Sequence, residues 1–177
     1  MSKPELAELL VLGETDIAVV RVQARPFIEQ LGFGDVEIHS IIITLSELST
    51  NLVFHAGQGR ILLRAIERNG CAGIEVVALD EGPGIADVLM AMQDGYSTSG
   101  GLGGGLPGIN RLMHELEIRS SPHEKTEIIA RRFVGIRHLH DESPDEEWIA
   151  LPSANRDAYG KVLMKRSGPT FWFRAKQ

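Results

Sequence analysis

The strongest constraint on this chain is the run Asp80-Glu81-Gly82-Pro83-Gly84, which follows directly on the apolar stretch Ile74 to Leu79. A carboxylate at the end of a strand, followed at once by two glycines, places a hydrogen-bond acceptor at a backbone turn. Glycine has no Cβ, so the backbone there can approach a flat ligand closely. Alone, such a run is an ordinary turn. It has two companions, Glu47-Leu48-Ser49-Thr50-Asn51 upstream and the glycine-rich run Gly100 to Gly108 downstream. Nearly half of the 19 glycines fall between residues 82 and 108, which points to a local backbone requirement.

Apolar periodicity orders the rest. Leu9 to Leu12 reads as a short strand. Ile17, Val20, Ala24, Phe27, Ile28 and Leu31 recur at helical spacing from a start at Thr15-Asp16 to a stop at Gly32, and Pro26 is expected to kink or break that helix. Ile38, Ile41, Ile42, Leu45, Leu48 and Leu52 form one face of a second helix, with Thr44, Glu47 and Asn51 on the opposite, polar side. Arg60 to Arg68 and Gly73 to Asp80 are two strands joined by the hairpin signal Asn69-Gly70. Asp87 to Met92 is a helical turn and Gln93 to Leu106 a polar loop. Pro107 opens a helix continued by Ile109, Leu112, Met113 and Leu116. Glu117 to Ser120 and Thr126 to Phe133 are strands around Ser121-Pro122-His123. The order predicts an α+β fold, a two-layer sandwich with a mostly antiparallel sheet and helices on one face.

Past residue 135 the character changes. His138 to Glu147 is polar and acidic and reads as a linker; Lys161 to Arg166 and Thr170 to Arg174 read as a hairpin. Trp148, Phe171, Trp172 and Phe173 give this part apolar weight and are expected to pack on the sheet. The expected organisation is a main domain over 1–135 and a C-terminal extension over 136–177.

Composition excludes several classes. The net charge of −6 argues against a broad basic face for nucleic acid. Cys71 is the only cysteine, so neither an intrachain disulfide nor a cysteine-cluster metal site is available. No apolar run approaches the roughly 18 residues a membrane span needs, and Met1 to Leu12 lacks a basic region before an apolar core. A cytoplasmic location is expected.

Each motif has a chemistry. Asp80 can accept a hydrogen bond from an exocyclic amine such as that of adenine. Successive backbone N–H groups of Gly100 to Gly108 can form an anion nest, aided by the helix opening at Pro107. No Gly-Lys-Ser/Thr follows and no strand precedes, so this is neither a Walker loop nor a Rossmann turn. Asn51 can offer a neutral oxygen to Mg²⁺, and Glu47 can take a proton from an attacking hydroxyl. Taken alone, those two are an ordinary solvated helix stripe. His55, one more step of four along, reads as a surface histidine at a helix end.

Together, and in this order, the three motifs resemble the Bergerat-type ATP-binding fold of the GHKL superfamily, shared by gyrase, Hsp90, histidine kinases and anti-sigma-factor kinases. The resemblance implies Glu47 as base, Asn51 as the Mg²⁺ ligand and Asp80 as the adenine acceptor. It implies an ATP or ADP site that also takes in Gly82, Gly84, Ile85, Gly101, Leu102, Gly103, Gly104, Gly105, Leu106 and Thr126. The family has glycine where Lys125 stands, before Thr126. The phrases Ala91-Met92-Gln93-Asp94-Gly95-Tyr96-Ser97-Thr98, Gly105-Leu106-Pro107-Gly108 and Arg111-Leu112-Met113-His114-Glu115 are similar to the RsbT subgroup of serine/threonine kinases. That subgroup implies STAS-domain proteins as phosphorylated partners, a metal-dependent PPM-type phosphatase as a second partner, and a sigma-factor or stress pathway as output. It leaves homodimerisation open. The alternatives are an RsbW-type anti-sigma factor that holds a sigma factor directly, or a non-catalytic ATP-binding module. The resemblance covers residues 9 to 134.

Overall fold

The computed structural model of the chain describes residues 6–93, 105–135, 149–151, 162–167 and 170–175. The expected linker over 138–147 and Trp148 lie outside them. Helices α1 (Glu14–Gln30) and α2 (Asp35–Asn51) pack on one face of an antiparallel sheet. Its strands are β1 (Leu6–Val11), β2 (Gly59–Arg68), β3 (Cys71–Asp80), β4 (Glu115–Arg119), β5 (Thr126–Phe133), β6 (Ile149–Leu151), β7 (Val162–Ser167) and β8 (Thr170–Ala175). The spatial order is β1-β2-β3-β5-β4-β8-β7-β6. Of two short helices, α3 (Val88–Ala91) precedes the glycine run and α4 (Gly105–Leu112) begins within it. The α+β class expected from the element order is the one found.

The core lies between helices and sheet. Val20, Ala24 and Ile28 of α1 and Ile41, Leu45 and Leu48 of α2 meet Ile61, Leu63, Ile74, Val76, Leu116 and Ile118 from alternate strand positions. The other face of the sheet carries charge. Arg131 of β5 lies 2.7 Å from Glu75, 3.6 Å from Glu115 and 3.5 Å from Glu117, cross-linking three strands.

Several local expectations shift. α1 begins at Glu14, and Asp16 is its third residue rather than its cap. The Asp16 carboxylate reaches back to accept the Leu12 and Gly13 N–H groups at 2.8 and 3.0 Å. Glu37 does the same for Gly34 at 3.0 Å at the start of α2. Asp16 thus takes up two backbone donors and Glu37 one at the helix starts. Pro26 does not end α1. It lies on the exposed side, where the carbonyl of Val22 that loses its donor faces water. α4 starts at Gly105, so Pro107 is its third residue, still within the first turn where a missing N–H costs nothing. β1 and β4 start three and two residues earlier than their sequence signals.

The β2–β3 hairpin has Asn69 and Gly70 both left-handed, at φ 51° and 79°. That pair of angles is the demand of a two-residue type I′ turn. The C-terminal hairpin joins the sheet edge to edge, with Leu116, Glu117 and Ile118 of β4 in register with Phe173, Trp172 and Phe171 of β8. Among the described residues no helix is long and apolar enough to cross a membrane.

Candidate active site

α2 does not stop cleanly at Asn51. It runs into a π-helical turn, Leu52–Ala56, that ends at left-handed Gly57. The wider turn rotates His55 off the Glu47–Asn51 stripe. His55 is exposed, and its charge acts on Asp80.

The reading of Glu47 and Asn51, taken alone, as a solvated stripe does not hold, and Thr44 on the same side is covered as well. Thr44 is fully buried, Glu47 is 7% exposed and Asn51 is half-buried. The cause is α4, which packs on α2. Glu47 Oε2 accepts the Gly105 N–H at 3.2 Å, so the helix motif and the end of the glycine run meet across 58 positions of sequence. Leu106, also buried, seats the same turn. Gly101, Leu102, Gly103 and Gly104, and the stretch Asp94 to Thr98, lie outside the described residues.

Asp80 is the last residue of β3 and stands opposite Thr126 of β5 in the sheet register. Its Oδ1 accepts the Gly82 N–H at 2.9 Å. Burial pushes the Asp80 carboxyl above the usual aspartate range, and the backbone N–H groups of Gly82 and Thr126 and the charge of His55 pull it only partly back. The turn abuts the end of α2, since a Cβ on Gly82 would lie 2.7 Å from the Ala56 Cβ. Gly84 has φ +73°, and a Cβ there would lie 2.0 Å from the Ser121 carbonyl oxygen and 2.8 Å from that of Glu124. Gly84→Ala should therefore cost about 3 kcal/mol or more through strain and overlap with backbone. A thermal melt checks it; an unchanged Tm would mean the turn is not packed this way.

Ser120 is a residue that sequence reasoning missed. Its Oγ accepts the Ile85 N–H at 2.8 Å and lies 2.9 Å from Thr126 Oγ1. It ties the turn after Asp80 to the start of β5. Nothing in the sequence around Ser120 marks it. Lys125 is exposed and has no left-handed φ, so the backbone here does not require glycine before Thr126.

Among the described residues no three His, Cys, Asp or Glu side chains cluster to hold a metal. What the site offers is the Asn51 amide oxygen one turn from the Glu47 carboxylate. That donor set fits Mg²⁺, which usually takes few protein ligands and completes its shell with phosphate and water.

Residues 13–132 match the family model of the histidine kinase-like ATPase domain. The serine/threonine-protein kinase RsbT of Bacillus subtilis is 42% identical over 124 residues, spanning 70% of this chain and 93% of that protein. An anti-sigma F factor of Caldanaerobacter subterraneus subsp. tengcongensis is 34% identical over 129 residues, and one of Thermoanaerobacter sp. 32%, each spanning 70% of this chain and 84% of the relative.

Proposed function

The chain belongs to the histidine kinase-like ATPase domain family, as a serine/threonine protein kinase of the RsbT type, and we propose that Glu47 is its general base and Asp80 its adenine acceptor. The observation that carries this reading is the hydrogen bond from the Gly105 N–H to Glu47. It brings a buried carboxylate to the end of the run whose amides would face phosphate.

Asp80 accepts the exocyclic amine of adenine while Gly82, Gly84 and Ile85 let the ring approach the turn. Thr126 holds the far side of Asp80. The phosphates are assigned to the glycine run, Gly101, Leu102, Gly103 and Gly104, with Gly105 and Leu106 at the start of α4. Asn51 would hold Mg²⁺, which supplies neutralising charge to the phosphates when bound. The partner's serine or threonine oxygen forms a bond to the γ-phosphorus, the bond to the bridging oxygen breaks towards ADP, and the hydroxyl proton passes to Glu47. The partners are regulatory proteins with STAS domains, and a PPM-type phosphatase is a second one. The setting is cytoplasmic. Incubation with a purified STAS-domain protein and ATP should yield phosphoserine or phosphothreonine on the partner. No transfer to any such partner would sink the reading. The anti-sigma F relatives favour one second reading, an RsbW-type holder of a sigma factor. Co-purification with a sigma factor instead of a STAS protein would select it.

The raised Asp80 pKa carries a pH prediction. The folded, empty site binds a proton more readily than the unfolded chain. Ionisation therefore costs stability as pH rises from the ordinary aspartate range through the raised value. Nucleotide needs the ionised acceptor, so its affinity should fall as pH drops through that same window. Calorimetric titration across acidic pH checks this; a flat profile would contradict it.

We also assign the nucleotide and catalytic groups to residues 1–135. Removing 136–177 should leave nucleotide affinity close to that of the full chain. It should lower Tm and promote association, because β4 loses its pairing with β8 and becomes an open edge. Loss of nucleotide binding in a truncated chain that still melts cooperatively would contradict the assignment.

A further inference from the structure

Thr44 and Asn110 are buried at 0% and 1% exposure, and among the described residues Thr44 Oγ1 and Asn110 Oδ1 have no hydrogen-bond partner. Thr44 departs from its own helix. Ser40, Ser46 and Ser49 of α2 each donate to the carbonyl four residues back, at 2.9, 3.0 and 2.7 Å. Thr44 makes no such bond, although a threonine can.

The two residues belong to helices that pack on each other. α4 meets α2 at Gly105 and Glu47, and its last carbonyl, Leu112 O, accepts a hydrogen bond from Arg132. Arg132 feels the charge of Glu37 on the first turn of α2, and Glu37 accepts the Gly135 N–H at 3.3 Å. α4 therefore runs back along α2, antiparallel to it. At 1.5 Å per residue Asn110 lies about 7.5 Å beyond Gly105, and Thr44 about 4.5 Å before Glu47, along parallel axes. A hydroxyl donor and an amide acceptor, both buried and unpaired, thus lie within about 3 Å of one level along two packed helices. Buried polar groups are rarely left so without a reason.

We propose that Thr44 and Asn110 are positioning residues for Glu47, and that they pair across the α2–α4 contact when nucleotide is bound. In the present seat of α4 the Gly105 N–H holds the Glu47 carboxylate, so the oxygen turned towards the end of the glycine run is already engaged. In the second seat the Thr44 hydroxyl donates to Asn110 Oδ1, and the Gly105 N–H leaves Glu47 for a phosphate oxygen. Nucleotide binding and release of the base are then one movement of one helix. This inference rests on Glu47 being the base.

The test is a double-mutant cycle with Thr44→Val and Asn110→Leu in the full chain, read by Tm without nucleotide and by affinity for a non-hydrolysable ATP analogue. Thr44→Val is close in volume and Asn110→Leu keeps the branch at Cγ, and each removes an unpaired oxygen, so all variants should still melt cooperatively within a few degrees of the parent. Each single variant should bind the analogue about 5-fold or more weakly, and the double variant no more weakly than the singles. Their kcat should fall with the KM for the protein partner unchanged. Unaltered affinity, strictly additive losses, or the same coupling in the nucleotide-free melt would overturn the proposal. Failure of the base assignment reads differently: Glu47→Ala would stay active whatever the cycle gives.

Discussion

Glu47→Ala is expected to slow phosphotransfer to a protein serine or threonine by about 10²–10⁴-fold, the usual worth of a positioned general base. Nucleotide affinity should stay close to that of the parent. Glu47 is buried, it faces the end of the glycine run through Gly105, and Asn51 stands one helical turn away. Alanine removes both the proton acceptor and the partner of the Gly105 N–H. The two losses can be separated. Glu47→Gln keeps an oxygen for Gly105 but cannot take the proton, so it should be nearly as slow as alanine. A rate intermediate between parent and alanine would mean that holding Gly105 matters more than proton transfer.

Asp80→Asn is expected to weaken nucleotide binding by roughly 100-fold or more, with the fold intact. Two backbone donors, the Gly82 and Thr126 N–H groups, already converge on the carboxylate. The amine of adenine would be a third. An amide has one acceptor oxygen, so its own NH₂ must face one of these donors, and a buried donor left unpaired costs about 1–3 kcal/mol on top of the lost bond. Isothermal titration with ADP measures it, and circular dichroism confirms that the variant is folded. Binding within a few-fold of the parent would remove Asp80 from the adenine site.

Much of this was legible in the sequence because local chemistry marks it. Asn69-Gly70 can do little else between two alternating runs, and the structure gives both residues the left-handed backbone that the turn requires. Asp80 to Gly84 likewise announced a close-packed turn, and Gly84 has no room for a Cβ. What stayed hidden depends on tertiary contact. Helical periodicity put Glu47 on a polar stripe and so predicted exposure; the docking of α4 on α2 brings Gly105 against it. Ser120 carries no local signal, because its partners Ile85 and Thr126 come from other segments. Pro26 misled in the other direction, since its cost depends on whether the freed carbonyl meets water. Lys125 stands where the family has glycine, yet its backbone is one that any residue adopts.

The most direct test of the central claim is the single-turnover rate of phosphotransfer from saturating ATP to a STAS-domain partner, compared between the parent and Glu47→Gln. The geometry predicts a loss of about 10² or more in that rate, with ATP affinity preserved. A variant that transfers phosphate at the parent rate would show that the carboxylate held by Gly105 is not the base.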